Sequence, residues 1–401
     1  MLVKNVSMLY GKDLEYVRNA NVVIENDIFK KISTESIDSD GDVYDAEGLL
    51  MIPGLINAHT HIGDSIAKDV ASDRGLEERV HPVSGIKRSV LNESVKEHLA
   101  AYMKSSMLSM LKHGVTTFAD FREGGIDGIN LLKESVGEME IRCVGLGRVE
   151  YYFDTESVQR NDELPSDPLR DAELVIRTCN GFGISGANEY SDNALRYFRK
   201  TAREHGKLLA IHAAETVDAY NYSLKHFGKS EISRIVEHLL PDFVVHMTNA
   251  TDADMQTLVE RNIGVIICPR ANGVLGAGIP KVANMGKHGC KVAIGTDNVM
   301  LNSPDLFREL DYLWKVCRAL ENNFLSAREL VKMVTVNAAN ILRLDKLGFI
   351  GENMFADAVF IDTHSIDLDP MHDPYAAIVH RVDPTSIEAV MVGGRFAHGS
   401  L

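Results

Sequence analysis

The sequence predicts an α/β protein: a TIM-like (β/α)8 barrel accompanied by a small β-sandwich domain formed from both chain termini. Three observations carry that expectation. Eight short apolar runs alternate with longer stretches of helical spacing through the middle of the chain. Both ends carry short alternating segments separated by turn residues. The chemically unusual side chains fall at the C-terminal ends of the apolar runs, where a parallel barrel gathers its working groups.

The N-terminal segments are Leu2–Tyr10, Ala20–Glu25 and Phe29–Ser33, broken by Gly, Asn and Asp as small antiparallel β structure would be. At the other end, Asp357–Asp362 (DAVFID) and Ile387–Val392 (IEAVMV) read as strands. Gly393-Gly394 then makes a tight hairpin turn before Arg395–Ala397. Neither piece has enough apolar surface to stand alone, so residues 1–52 and 349–401 are expected to share one domain. The barrel is assigned to 53–348. Its runs are Leu50–Asn57, Thr116–Asp120, Ile141–Gly147, Gly181–Ser185, Lys207–His212, Phe243–His246, Gly264–Cys268 and Lys291–Thr296. Stretches such as Asn193–His205 and Asp252–Arg261 between them have helical spacing, whereas the polar stretch Asp154–Leu169 reads as loop.

Size agrees with this division. At 401 residues the chain exceeds an ordinary domain, and a large barrel can run to about 250 residues as one unit. Hydrophobic residues make up 45% and charged residues 25%, as in a soluble globular protein. A formal net charge of −15 argues against nucleic acid or an anionic membrane surface as partner and says nothing about a small-molecule substrate, because a pocket can differ in sign from the surface around it. The five cysteines lie far apart without a C-x-x-C pair and read as reduced thiols. No secretory signal and no apolar stretch of membrane-spanning length is seen, so the expected location is cytoplasmic.

His59 and His61 end the first run in MIPGLINAHTH. Strand side chains alternate faces, so both imidazoles point the same way, a natural half of a metal site. His212 ends the fifth run (KLLAIHAAET), His246 the sixth (DFVVHMT) and Asp297 the eighth (KVAIGTDN). One such histidine is more often structural than a ligand. Four histidines and an aspartate at the strand ends of one barrel are hard to explain that way.

These residues resemble the amidohydrolase superfamily, in its cytosine deaminase and S-adenosylhomocysteine deaminase-like, chlorohydrolase-related branch. The motifs that carry the resemblance are PGLINAHTH (53–61), IHAAET (211–216), CPRAN (268–272), IGTDN (294–298), TVNAAN (335–340) and ADAVFID (356–362). They span almost the whole chain in the family's order. The resemblance implies that His59, His61, His212 and Asp297 are metal ligands, that Glu215 is a proton shuttle, and that His246 polarises or orients the hydrated substrate. It also implies the two-ended β domain and a homo-oligomer, most simply a homodimer. Binuclear members carry a carboxylated lysine at the end of strand four. Here FGISGANEYS (182–191) has no lysine, which points to one divalent ion; the histidine some deaminases place nearby is also absent. Imidazole with carboxylate suits zinc first, with iron or manganese as alternatives.

A divalent ion in such a site lowers the pKa of bound water from about 16 towards about 7. Asp297 could accept the water proton, Glu215 could donate to a ring nitrogen and then to the departing amine, and His246 could stabilise the tetrahedral centre. Acid–base steps of this kind supply about 10²–10⁴-fold each. Glu215 favours deamination, because attack on an aromatic amidine requires the ring nitrogen to be protonated in step.

Substrate-pocket candidates follow the other strand ends: Arg122, Arg148, Asn188, Arg270 and Asn272, with Asp64 on the long loop after the first ligands, near Lys68. The arginines could recognise a carboxylate, phosphate or carbonyl-rich ring. Equally, they could pair with Asp120, Glu123 or Glu150 to hold loops. The expected activity is a metal-dependent aminohydrolase acting on a nucleobase, nucleoside, pterin or similar amine. Alternatives are a cyclic or linear amide hydrolase of the imidazolonepropionase type, a triazine chlorohydrolase, or a silent scaffold of the same fold.

Overall fold

The computed structural model describes residues 1–38, 41–322 and 325–401. Eight parallel strands curl around a common axis: Leu55–His61, Val115–Arg122, Arg142–Gly147, Gly181–Ile184, Leu208–Ala213, Phe243–His246, Gly264–Ile267 and Val292–Ile294. A two-residue strand, Asp297–Asn298, closes the ring by pairing with the first, Asp297 opposite Thr60 and Asn298 opposite His61. The closure is pinned by Asn57, which donates to Thr296 Oγ1 (2.8 Å) and accepts from the Thr296 N–H (3.0 Å). Gly295 is required there: a Cβ would lie 2.6 Å from that of His59. The strands are buried along almost their whole length, as expected of a parallel sheet walled by helices.

Most of the predicted runs fall on these strands, but the first divides in two. Leu49–Pro53 belongs to the second sheet, and the barrel begins at Leu55. Gly54 separates the two strands with no room for a side chain, its Cβ position lying 2.3 Å from Thr116 Oγ1. Continuous apolarity therefore concealed a passage between sheets. The stretch read as loop, Asp154–Leu169, contains the helix Thr155–Arg160, capped by Asp154, and the start of Ser166–Thr178. Helix caps and amphipathic polarity overcame a polar composition.

The second sheet joins both ends of the chain. Its order runs Arg395–Gly399, Ile387–Val392, Ala358–Asp362, Leu49–Pro53, Leu2–Tyr10, Glu15–Glu25 and Ile28–Ser33, with Val43–Asp45 also paired to Leu2–Tyr10. It folds over on itself: the ring of Tyr44 meets Phe396 edge-on, centroids 5.6 Å apart. Val3, Val22 and Phe29 from one end share a core with Phe360 and Met391 from the other. Arg142, at the start of the third barrel strand, grips Asp357 with two hydrogen bonds (2.9 and 3.0 Å) and ties the sheet to the barrel.

Candidate metal centre and active site

At the C-terminal mouth of the barrel, period-two alternation puts His59 and His61 on the inner face of the first strand, both buried. His212 reaches the same point from the fifth strand and Asp297 from the closing strand. His212 Nε2 lies 3.3 Å from His59 Nε2 and 3.4 Å from His61 Nε2. Asp297 Oδ1 lies 3.3 Å from His59 Nε2 and 3.5 Å from His61 Nε2.

The outer ring nitrogens show what those inner atoms carry. His61 Nδ1 faces the Phe121 carbonyl (3.0 Å) and His212 Nδ1 the Ile184 carbonyl (3.1 Å). A carbonyl only accepts, so both Nδ1 atoms bear hydrogen and both Nε2 lone pairs point inwards, at each other and at a carboxylate. Such a set repels itself unless a cation lies between. Four atoms about 2.0–2.1 Å from a tetrahedral ion stand about 3.3 Å apart, close to the separations here. The donor set therefore fits a divalent metal.

Burial and neighbouring charge prepare these groups for ligation. Burial pushes the pKa of His59, His61 and His212 down, that of His61 to about 3, with Lys87 adding to the effect at His61. Neutral imidazole is the ligating form. Asp297 is buried too, which alone would raise its pKa, but the His59 hydrogen bond and the surrounding histidines hold it well below the ordinary carboxylate range. Asp297 and His246 adopt left-handed backbone (φ 62° and 81°), a local cost found at sites where side-chain aim matters.

His246 borders the cluster without repeating its geometry. Its Nδ1 lies 3.1 Å from Asn272 Nδ2, and its Nε2 faces Glu215 Oε2 at 3.6 Å. Glu215 follows a turn at Ala214 (φ 49°), which brings it back beside the strand end. Burial raises its pKa, an effect partly offset by His246 and reinforced by the Asp297 charge. An imidazole, a carboxylate able to hold a proton and the electron-rich cluster thus share one wall.

These groups floor a cavity of about 570 Å³. The segment after the first strand runs through a 3-10 helix at Ile62–Ala67 into the helices Leu76–Arg79 and Ile86–Glu93, and these two helices form a lid that lines the cavity. Leu76, Val80 and Leu91 make part of its wall apolar. Arg122, Arg148 and Asn188 line it, whereas Asp64, Arg270 and Asn272 do not. Asp64 points away, accepting from Asn298 Nδ2 (2.7 Å) and the Met300 N–H (3.0 Å), and Lys68 is exposed. Arg270 is turned outwards by the helix Pro269–Val274 and lies 3.5 Å from the buried Glu309. Asn272 lies behind His246, against its Nδ1.

The two arginines at the cavity pair with carboxylates. Arg122 donates to Glu123 Oε2 (3.0 Å), while Arg148 lies 3.4 Å from Glu123 Oε1 and 3.7 Å from Glu150. Glu189, which like Asn188 follows the fourth run in the sequence, lines the cavity as well, whereas sequence reasoning missed Lys87 and Glu231. No strand-end pattern marks them. Lys87 arrives on a lid helix, and Glu231 begins a helix packed beneath the fifth strand, where it accepts from the Ala214 N–H (2.8 Å).

A barrel with a histidine-rich centre at its mouth and a sheet built from both termini defines a metal-dependent hydrolase architecture. Residues 50–397 match the amidohydrolase family, and the chain belongs to it. A Methanothermobacter thermautotrophicus protein, assigned only provisionally as an aminohydrolase, is 34% identical over 395 residues, covering 98% of each chain. The 5-methylthioadenosine/S-adenosylhomocysteine deaminase of Thermococcus sibiricus is 28% identical over 408 residues, covering 98% of this chain and 93% of its own. Among solved structures, a zinc-bound adenosine deaminase from Xanthomonas campestris superposes with a TM-score of 0.87 at 19% identity, over 98% of this chain and 92% of that one.

Proposed function

We propose that this protein is a metal-dependent aminohydrolase that releases ammonia from a C–NH2 carbon of a heteroaromatic substrate. The carrying observation is the placing of Glu215 Oε2 3.6 Å from His246 Nε2, beside the His59, His61, His212 and Asp297 cluster. The relatives named as deaminases support the same chemistry. His59, His61, His212 and Asp297 would hold one ion, for which zinc is the first choice given the zinc-bound neighbour.

Such an ion, when bound, supplies a water acidified to a pKa of about 7. The chain's own groups then divide the proton work. Asp297, held ionised, takes the proton lost by the attacking water. Glu215, whose raised pKa favours carrying a proton, would deliver one to the substrate's ring nitrogen and recover it as the ring rearomatises, while the proton held by Asp297 passes to the departing amine. His246, fixed by Asn272, donates from Nε2 to the substituent on the attacked carbon. The lid excludes water, while Arg148 and Asn188 contact the substrate away from the reacting carbon. The protein is further proposed to be cytoplasmic and to work as a homo-oligomer, with its domains divided at 1–52 with 349–401 and at 53–348.

Ammonia release by zinc-loaded protein, measured across 5-methylthioadenosine, S-adenosylhomocysteine, adenosine, guanine, cytosine and pterins, tests the proposal. A substrate turned over by wild type but not by Asp297→Ala is the expected result. Hydrolysis of a cyclic amide without ammonia, at a rate exceeding any amine in the panel, would overturn it.

A further inference from the structure

The three imidazoles of the cluster are not held alike. His212 Nδ1 meets a backbone carbonyl, and the buried His59 Nδ1 has no hydrogen-bond partner among the described residues. His61 Nδ1 instead shares its proton between the Phe121 carbonyl (3.0 Å) and a carboxylate, Glu123 Oε1 (2.9 Å). That oxygen also takes the Lys87 ammonium at 2.5 Å, and Arg148 Nη2 lies 3.4 Å from it. The other oxygen accepts from Arg122 (3.0 Å). One carboxylate thus answers a candidate ligand and three cations at once. Lys87 is buried, with Asp64 Oδ2 at 3.4 Å as its second counter-charge.

We propose that Glu123 is a positioning residue for the metal centre, fixing the His61 ring and raising its basicity, and that Lys87 tempers this by sharing the same oxygen. A carboxylate on the far nitrogen of an imidazole fixes its tautomer and makes the near nitrogen a stronger donor. An ammonium on that carboxylate withdraws part of its charge and adds a positive charge of its own near the ion. The two residues therefore act in opposite directions on metal binding, although they form one ion pair. The proposal rests on the assignment of His61 as a ligand.

Zinc affinity of the full-length protein, measured by competition with a chromogenic chelator at fixed pH, tests it, with thermal melting to verify folding. Glu123→Gln is expected to weaken zinc binding about 10–100-fold. Lys87→Gln, which keeps an amide donor towards Glu123, is expected to tighten it several-fold. A pair with a merely structural role would lower affinity in both variants, and that result overturns the proposal. So does unchanged affinity in a folded Glu123→Gln. Should Asp297→Ala bind zinc as tightly as wild type, the ligand assignment itself fails, which is a separate result from the behaviour of Glu123.

Discussion

The floor and the walls of the cavity are built in different ways. On the floor, His59, His61, His212 and Asp297 stand at or just beyond strand ends, and two of the rings are set by backbone carbonyls that the barrel itself supplies. On the walls, Arg148 from a loop and Lys87 from a lid helix are held by the charge of Glu123, and Asn188 donates to the Ala219 carbonyl. The floor is therefore set largely by the fold, with Glu123 joining it to the walls at His61, whereas the walls depend on a network that a few substitutions would redraw. On the proposed function, the reaction belongs to the strand ends and the choice of substrate to the loops.

The largest effect should come from breaking the floor. If Asp297 has its proposed roles as ligand and proton acceptor, Asp297→Ala should lower kcat/KM by at least about 10⁴-fold, with zinc lost on dialysis. Steady-state rates with metal analysis check both; a variant that keeps its ion and most of its rate would contradict the assignment. A wall substitution should act more gently. Arg148→Ala is expected to raise KM roughly tenfold with little change in kcat, as for a contact made equally before and during reaction. An unchanged kcat/KM would remove Arg148 from substrate recognition.

A third, smaller effect lies outside both regions. Glu309 is fully buried, and burial raises its pKa from the ordinary 4.5 to about 8 despite the nearby Arg270. Between those values the folded protein holds a proton that the unfolded chain releases, so stability falls as pH rises through that window and is unaffected below it. Glu309→Gln should remove this decline. From pH 5 to pH 8 the wild type should lose at least about 1 kcal/mol more than the variant, a Tm difference of about 2 °C. Parallel melting curves would show that Glu309 stays ionised in the folded state.

The same contrast explains what the sequence revealed. His59 and His61 were legible because alternation in a strand is a strict geometric rule, and His212, His246 and Asp297 because parallel strands end at one mouth. The two-ended sheet was legible in its strands, although the passage at Gly54 was hidden inside one apolar run. Wall residues were harder, because their positions depend on how loops fold back. Asp64 and Arg270 follow strand ends as Arg148 does, yet one turns to Asn298 and the other to Glu309. Lys87 carries no local signal, since only docking of the lid brings it to Glu123.

The most direct test of the central claim is ammonia release by Glu215→Gln, with zinc content measured on the same sample. One zinc per chain retained, with kcat lowered about 10²–10⁴-fold, is the expected outcome and would make Glu215 the proton carrier of a deaminase. Ammonia released at the wild-type rate by the zinc-loaded variant would contradict the account.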